Sequence, residues 1–552
     1  MSSSSSKAVR PAVVWFRGSD LRIHDHEPLL EAAKASKGHV VPVYCFDPRQ
    51  VGPAAKTRCG QFPKCGWQRT RFIVECVEDL RRNLQRLGSN LVVRVGEPEE
   101  VIPDIVSITG ATEVFGQKEV CSEETGVEHR LAKRLSVPLT LRWGAITLCH
   151  RDDLPYERSC SDLPGVFSQF RKAAEACVPI RPPRPPPPSL QPLPQPIAGD
   201  PGHVPPVTQL SPNAPAKADE RGVLTFVGGE TVARTRVKHY LWDTDCIATY
   251  KDTRNGLVGA DYSSKFSPWL AHGCVSARWI HSEVKRYERE RVKNNSTYWL
   301  VFELLWRDYF RFVALQHGTA IFKEGGVQRK GIAWRHSPLD LSAWQEGRTG
   351  FPFVDANMRE LAATGFMSNR GRQNVASFLT KDLLIDWRLG AEWFESLLID
   401  HDPCANYGNW NYAAGIGNDP RQGRHFNVIR QAKTYDPAAE YVHLWVPELK
   451  HLPAPFAHTP YQAPHGELEA AGVALEKSYP RPIVASLDNG RIPIRGGAAK
   501  MYSAGKPFKG PKWMDRDGQE AGSNTSDGGG RSRSGKRRGR HNRKPRVQGG
   551  WS

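Results

Sequence analysis

The sequence predicts an α/β amino-terminal domain, Rossmann-like with a parallel sheet, and an all-α carboxy-terminal domain, joined by a long Pro-rich linker. Three observations carry this reading. Short β-branched runs alternate with amphipathic helical stretches over residues 11–145. Pro, Gly and Ser dominate residues 181–222. From Thr225 to about Leu452 the apolar residues recur at helical spacing.

In the first domain AVVWF (12–16) reads as a strand, the stretch from Glu27 as an amphipathic helix, and VVPVYCF (40–46) as the second strand. The cycle repeats with a patterned helix over 68–88, the strand NLVVRV, a helix near 98–109 and the strand TEVFG. No G-x-G-x-x-G follows the first strand, which argues against a nicotinamide-type dinucleotide site there. Residues 146–224 read as linker, with 181–222 an extended tether; such tracts can also bind small aromatic-grooved domains. The helical domain spans 225–485. Beyond it, 486–552 is Gly- and Arg-rich, with too little apolar surface to order itself.

The 552 residues carry 76 Lys+Arg against 58 Asp+Glu, a formal charge of +18, and an excess of that size points to a polyanionic partner. Nine of those cations lie between Arg531 and Arg546 with no acid among them, so half of the excess belongs to the tail. That tail suits duplex DNA or RNA, yet also suits a solvated end or a nuclear-import signal. GRSRSGK (530–536) fails as a phosphate loop, since Arg537 follows and no strand precedes. Eleven scattered cysteines without a C-x-x-C pair indicate a reduced, intracellular protein whose compartment stays open. No apolar run approaches the roughly 18 residues of a membrane span. The start, MSSSSSKAVR, lacks a signal-peptide core and is very short for a transit peptide.

Several polar residues sit where helical patterning calls for core. In STYWLVFELLWRDYFRFVAL (296–315), Trp299, Glu303, Trp306, Arg307 and Phe310 share one stripe. Glu303 and Arg307 fit either a surface i,i+4 pair or a buried pair kept for a ligand. In TYKDTRNGLVGADYSSKFSPWL (249–270), Ser263, Ser264 and Ser267 precede a helix, with Ser267 as N-cap and Pro268 at the first position. That is a plain helix start or a phosphate site, with Tyr250, Lys251 and Arg254 just upstream. Asn369, Arg370, Arg372 and Gln373 lead a third helix. Asp400 and Asp402 open DHDPCANYGNWNY (400–412), where Pro403 and missing later acceptors break the calcium-loop pattern and exclude a metal reading.

FRGSDLRIHD (16–25), NGLVGADYSSKFSPWLAHGCVSARWI, ELLWRDYFRF, AWQEGRTGFPFVDANMREL, TGFMSNRGRQNVASFLTKDLLIDW and DHDPCANYGNWNY stand in this order along residues 11–450. With them the chain resembles the photolyase/cryptochrome family, and within it the DASH cryptochromes. The resemblance implies a U-shaped FAD in the helical domain, with Tyr250, Ser263, Ser264 and Ser267 on its diphosphate side. Glu303 and Arg307 would line the same cavity. Asn369, Arg372, Asp400, Asp402 and Asn406 would meet ribityl and isoalloxazine, Asn406 beside flavin N5.

The implied activity is blue-light-driven splitting of cyclobutane pyrimidine dimers. Glu303 and Trp306 face the lesion, and Trp344, Trp387 and Trp410 serve as the electron-transfer chain unless they are simply large core residues. Gln373 and Tyr412 replace the Met and second Trp of duplex-repairing relatives, which favours single-stranded DNA as substrate. A 5,10-methenyltetrahydrofolate antenna would sit in the α/β domain at Glu119, a residue equally compatible with an ordinary exposed loop. The protein is expected to act as a monomer. The alternative is a blue-light photoreceptor that binds DNA or RNA with little repair.

Overall fold

Five short strands form one parallel sheet in the order β3-β2-β1-β4-β5. This computed structural model describes residues 10–215, 217, 219–418 and 425–484. Most of the Ser-rich start and the expected tail 486–552 lie outside the described residues. The strands are β1 (Ala12–Phe16), β2 (Val40–Phe46), β3 (Val92–Val95), β4 (Val114–Gln117) and β5 (Leu139–Arg142). Helices α1 (Glu27–Ala35), α2 (Trp67–Arg86), α3 (Pro98–Thr109) and α4 (Ser122–Arg134) connect them. Every residue of β1 and β2 is buried, as a central parallel strand requires. Alternation sorts their side chains: Val13 and Trp15 join Val41 and Val43 in the core that also holds Ile102, Ile105 and Leu131. Pro42, which cannot donate to a ladder, lies one residue before β3 begins to pair at Val43.

The expected free tether is corrected by the structure. Helix α5 (Phe167–Cys177) stacks Phe167 on Trp306 at 3.7 Å. Further on, Leu190, Leu193, Ile197 and Leu210 are buried, the last two on the single turns α6 (Gln195–Ala198) and α7 (Val207–Leu210). Leu190 N donates to Leu87 O at 2.7 Å and Val93 N to Pro201 O at 2.8 Å, so the tract is laid along the α/β domain. Composition hides this because four apolar side chains, each worth about 1.5–3 kcal/mol when buried, are diluted among prolines. The same prolines lower the entropy lost on ordering.

The helical half comprises α8 (Glu230–Lys238), α9 (Tyr250–Thr253), α10 (Ser267–Ala271), α11 (Ala277–Glu290), α12 (Asn295–His317), α13 (Pro338–Gln345), α14 (Pro352–Thr364), α15 (Asn369–Ser377), α16 (Trp387–Leu397), α17 (Pro403–Ala414) and shorter helices to residue 470. Ionic and capping contacts join the halves. Arg278 pairs with Asp25 at 2.6 Å, Arg22 donates to Gly273 O at 2.8 Å, and Glu392 accepts from the backbone of Cys59 and Gly60. Among the described residues no helix is long and apolar enough to cross a membrane.

Candidate functional site

Helix α12 organises the site. Asn294 and Thr297 close a capping box at its start. The buried length then carries Glu303, Arg307 and Arg311 at intervals of four, hence on one stripe. Each has its own compensation. Arg307 donates to Ile146 O at 2.6 Å and Leu270 O at 3.1 Å. Glu303 pairs with Arg254 at 2.5 Å rather than with Arg307, and Arg254 also lies over the Trp299 ring. Burial pushes the Glu303 carboxyl above its ordinary pKa, with Arg254 only partly opposing.

Tyr250, Ser263, Ser264, Ser267, Glu303, Arg307, Asn369 and Arg372 line one cavity together with Arg254 and Lys265. The loop carrying the serines is held by Arg236, which donates to the carbonyls of Ala260, Ser263 and Ser264. Ser267 is not the N-cap expected of it. It is the first residue of α10, and its hydroxyl donates to Asp400 Oδ2 at 2.6 Å. The guanidinium of Arg372 meets the same oxygen at 2.7 Å, so two separate segments converge on Asp400.

Asp402 caps α17 by accepting from Ala405 N at 2.9 Å. Burial raises its pKa, but Arg311 and Arg307 outweigh that and hold it below the usual carboxylate value. Gly408 lets α17 lie close on α12, since a Cβ there would collide with the Phe310 ring. Asn406 donates to Ala391 O at 2.9 Å, but its Oδ1 and Asp400 Oδ1 are buried without a donor among the described residues. An acceptor left in that state costs about 1–3 kcal/mol. Hydroxyls and a guanidinium gathered around Asp400, with unsatisfied buried acceptors on Asp400 and Asn406, suit a ligand having an anionic group and ring N–H donors.

Trp306 and Tyr412 meet edge to face at 6.1 Å, forming a corner near Glu303 on the same helix. Gln373, on α15, accepts from Arg370 Nη1 at 3.1 Å, and Arg370 reaches Asn255 beside Arg254. Trp410 packs against Trp344 at 6.3 Å and against Phe394 at 5.1 Å, whereas Trp387 meets Tyr407 at 6.1 Å. All three tryptophans are fully buried. Trp334 is half-buried on the loop before α13, and its neighbour Arg335 bonds to the carbonyls of Leu383 and Leu384, leading into Trp387.

A second, larger cavity of about 620 Å³ opens between the ends of β1 and β2 and the segment from α16 to α17. Glu119 lines it, buried rather than on an exposed loop, hydrogen-bonded by Ser19 and paired with Arg311 at 2.7 Å. Burial pushes Glu119 up, but Arg311 and Arg17 outweigh it, so the carboxyl is held ionised. From the sequence Arg254 was noted only as a cation upstream of the serines, without its pairing to Glu303, and Arg311 was missed. Their signals were a cation four residues after Tyr250 and the continuation of the 303/307 ladder by four more.

The family described as FAD binding domain of DNA photolyase matches residues 299–492, and that described as DNA photolyase matches 12–191. The chain is 50% identical to the cryptochrome DASH of Xenopus laevis, over 90% of this chain and 94% of that protein. It is 52% identical to the cryptochrome DASH of Gloeobacter violaceus, over 86% and 93% respectively. The solved cryptochrome of Synechocystis superposes with a TM-score of 0.81 at 49% identity, covering 86% of this chain and 97% of that one. The two family matches together, and each of the three relatives alone, span both halves of the fold. The chain belongs to the photolyase/cryptochrome family, among the DASH cryptochromes, and its helical half contains that family's FAD-binding domain.

Proposed function

We propose that this protein uses light to split cyclobutane pyrimidine dimers, with single-stranded DNA as the better substrate. The observation that carries the reading is the convergence of Tyr250, the three serines, Glu303, Arg307, Asn369 and Arg372 on one cavity, next to two unsatisfied buried acceptors. These residues fit FAD. The serine hydroxyls would hold its diphosphate, Arg372 and Asn369 its ribityl side, and Asp400, Asp402 and Asn406 the ring edge. The chemistry FAD supplies when bound is light-driven electron donation to the dimer and recapture of that electron, with no net redox change.

The chain's own residues do the rest. Trp306 and Tyr412 offer stacking faces to an extruded pair of bases. Glu303, whose carboxyl burial pushes above its ordinary pKa, donates a hydrogen bond in its protonated form to a pyrimidine carbonyl as charge develops there. Gln373 and Tyr412 give a smaller, more polar wall than two indoles would, so the cavity grips a flipped dimer weakly. Extrusion from a duplex costs a few kcal/mol, and a single strand avoids most of it.

In the larger cavity the ionised Glu119 suits a ligand with adjacent N–H donors, and a methenyl-folate antenna has such an edge. The deciding experiment illuminates purified protein with dimer-bearing oligonucleotides, single-stranded and duplex, beside a Glu303→Ala variant, with absorption spectra recorded. Flavin absorption with faster repair of the single strand supports the proposal. Bound flavin with no repair of either substrate turns the reading to a photoreceptor.

A further inference from the structure

Helix α5 is followed by VPIRPPRPPPP, residues 178–188. Proline fixes its own φ near −65°, and the residue before a proline is confined to extended backbone. One or both constraints act at every position of this stretch except Ile180. The favoured conformation is the left-handed helix of three residues per turn.

The fold ties this stretch down. Arg181 grips Asp153 at 2.6 and 2.8 Å. Asp25 N donates to Arg184 O at 2.8 Å, and Arg184 N donates to Asp25 Oδ1 at 3.1 Å. Exposure then follows the period of three: Pro179, Pro182, Pro185 and Pro188 face solvent, while Pro187 and Leu190 are buried. The Arg184 side chain stands beside that ridge, 55% exposed, with Glu27 no nearer than 3.9 Å.

We propose that Pro179-x-x-Pro182-x-Arg184 is a docking ligand for an SH3 domain with an acidic specificity pocket. Such grooves accept a preformed left-handed ridge with prolines three apart. A guanidinium two residues beyond the second proline then pairs with the pocket's carboxylates. Because the stretch is already ordered on the protein surface, binding forfeits little conformational entropy. The docking role is independent of the two cavities.

The test titrates the full-length protein into a panel of purified SH3 domains, whose specificity pockets range from acidic to neutral, with WW domains alongside. Acidic-pocket SH3 domains are expected to bind at about 1–100 µM. Pro182→Ala and Arg184→Glu each weaken binding about tenfold or more, while Pro188→Ala, on the same ridge but outside the spacing, changes nothing. Thermal midpoints equal to wild type show that the variants keep their fold. No SH3 binding at about 1 mM, binding by WW domains alone, or indifference to both Pro182→Ala and Arg184→Glu overturns the proposal.

Discussion

Arg311 Nη1 lies 2.7 Å from Glu119 Oε2, and the same guanidinium reaches Asp402 Oδ2 at 3.4 Å. One buried cation thus joins a wall of the larger cavity to the cap of α17. Removing one partner of a buried charge cluster costs about 3–5 kcal/mol, and Arg311→Met should lower stability by that order in denaturant unfolding at pH 7. The pH dependence gives the sharper check. Both carboxyls have folded pKa values below their ordinary ones, so their contribution is present above about pH 4.5 and is lost as pH falls through the folded values. In Arg311→Met the largest lowering contribution is gone from both, leaving Arg17 and Ser19 on Glu119 and Arg307 on Asp402 to oppose burial, so this acid loss should shrink. Thermal midpoints from pH 3.5 to 7 that fall in parallel for variant and wild type would contradict the assignment.

Glu303 has the opposite sign. Its folded pKa is raised, first by burial, so the protonated donor form is lost as pH rises through that value. Glu303→Gln keeps an N–H donor without a titration, and repair per absorbed photon should become flatter with pH. Glu303→Ala removes the donor and should lower repair about tenfold, the equivalent of one hydrogen bond of about 1.5 kcal/mol. Repair yields across pH 5.5–8.5 for the three proteins decide it.

The strands and long helices were legible because their periodicities are local: β1 is AVVWF in both sequence and structure, and α2 departs from its expected span by at most two residues. The site was less legible because its pairings are not local. Spacing along α12 offered Arg307 as the partner of Glu303, but the cavity wall brings Arg254 there from 49 positions upstream. Arg307 is used instead by the carbonyls of Ile146 and Leu270. No pattern within one helix encodes such a choice. The serine cluster shows the same limit, since Ser267 read locally is a cap and in three dimensions holds Asp400.

An electron relay to solvent needs an exposed end, and Trp344, Trp387 and Trp410 are all fully buried. Trp334, half-buried and tied by its neighbour Arg335 to the turn before Trp387, meets that need. Trp334→Phe should therefore slow photoreduction of bound flavin by an external thiol about as much as Trp387→Phe does. Trp344→Phe should leave it closer to wild type. Absorbance changes at the flavin bands under continuous blue light, at equal flavin content, measure this. A relay that ignores Trp334 but stops in Trp344→Phe would assign the outer position to Trp344 instead.

The proposed substrate preference rests on the wall opposite Trp306. Tyr412 meets that indole edge to face at 6.1 Å, so enlarging it to an indole adds a second broad stacking surface within the same corner. Stacking one base on an aromatic ring is worth about 1–3 kcal/mol, comparable to the few kcal/mol needed to extrude a dimer from a duplex. Tyr412→Trp combined with Gln373→Met should therefore raise affinity for a dimer in duplex DNA about tenfold, offsetting part of the extrusion cost, and raise it as much for the single strand, because that cost is the same before and after the substitution. Competition binding with matched single-stranded and duplex oligonucleotides in the dark separates this from any change in photochemistry. No gain on either substrate would mean that this wall does not grip the extruded dimer and that the preference for single strands originates elsewhere on the surface.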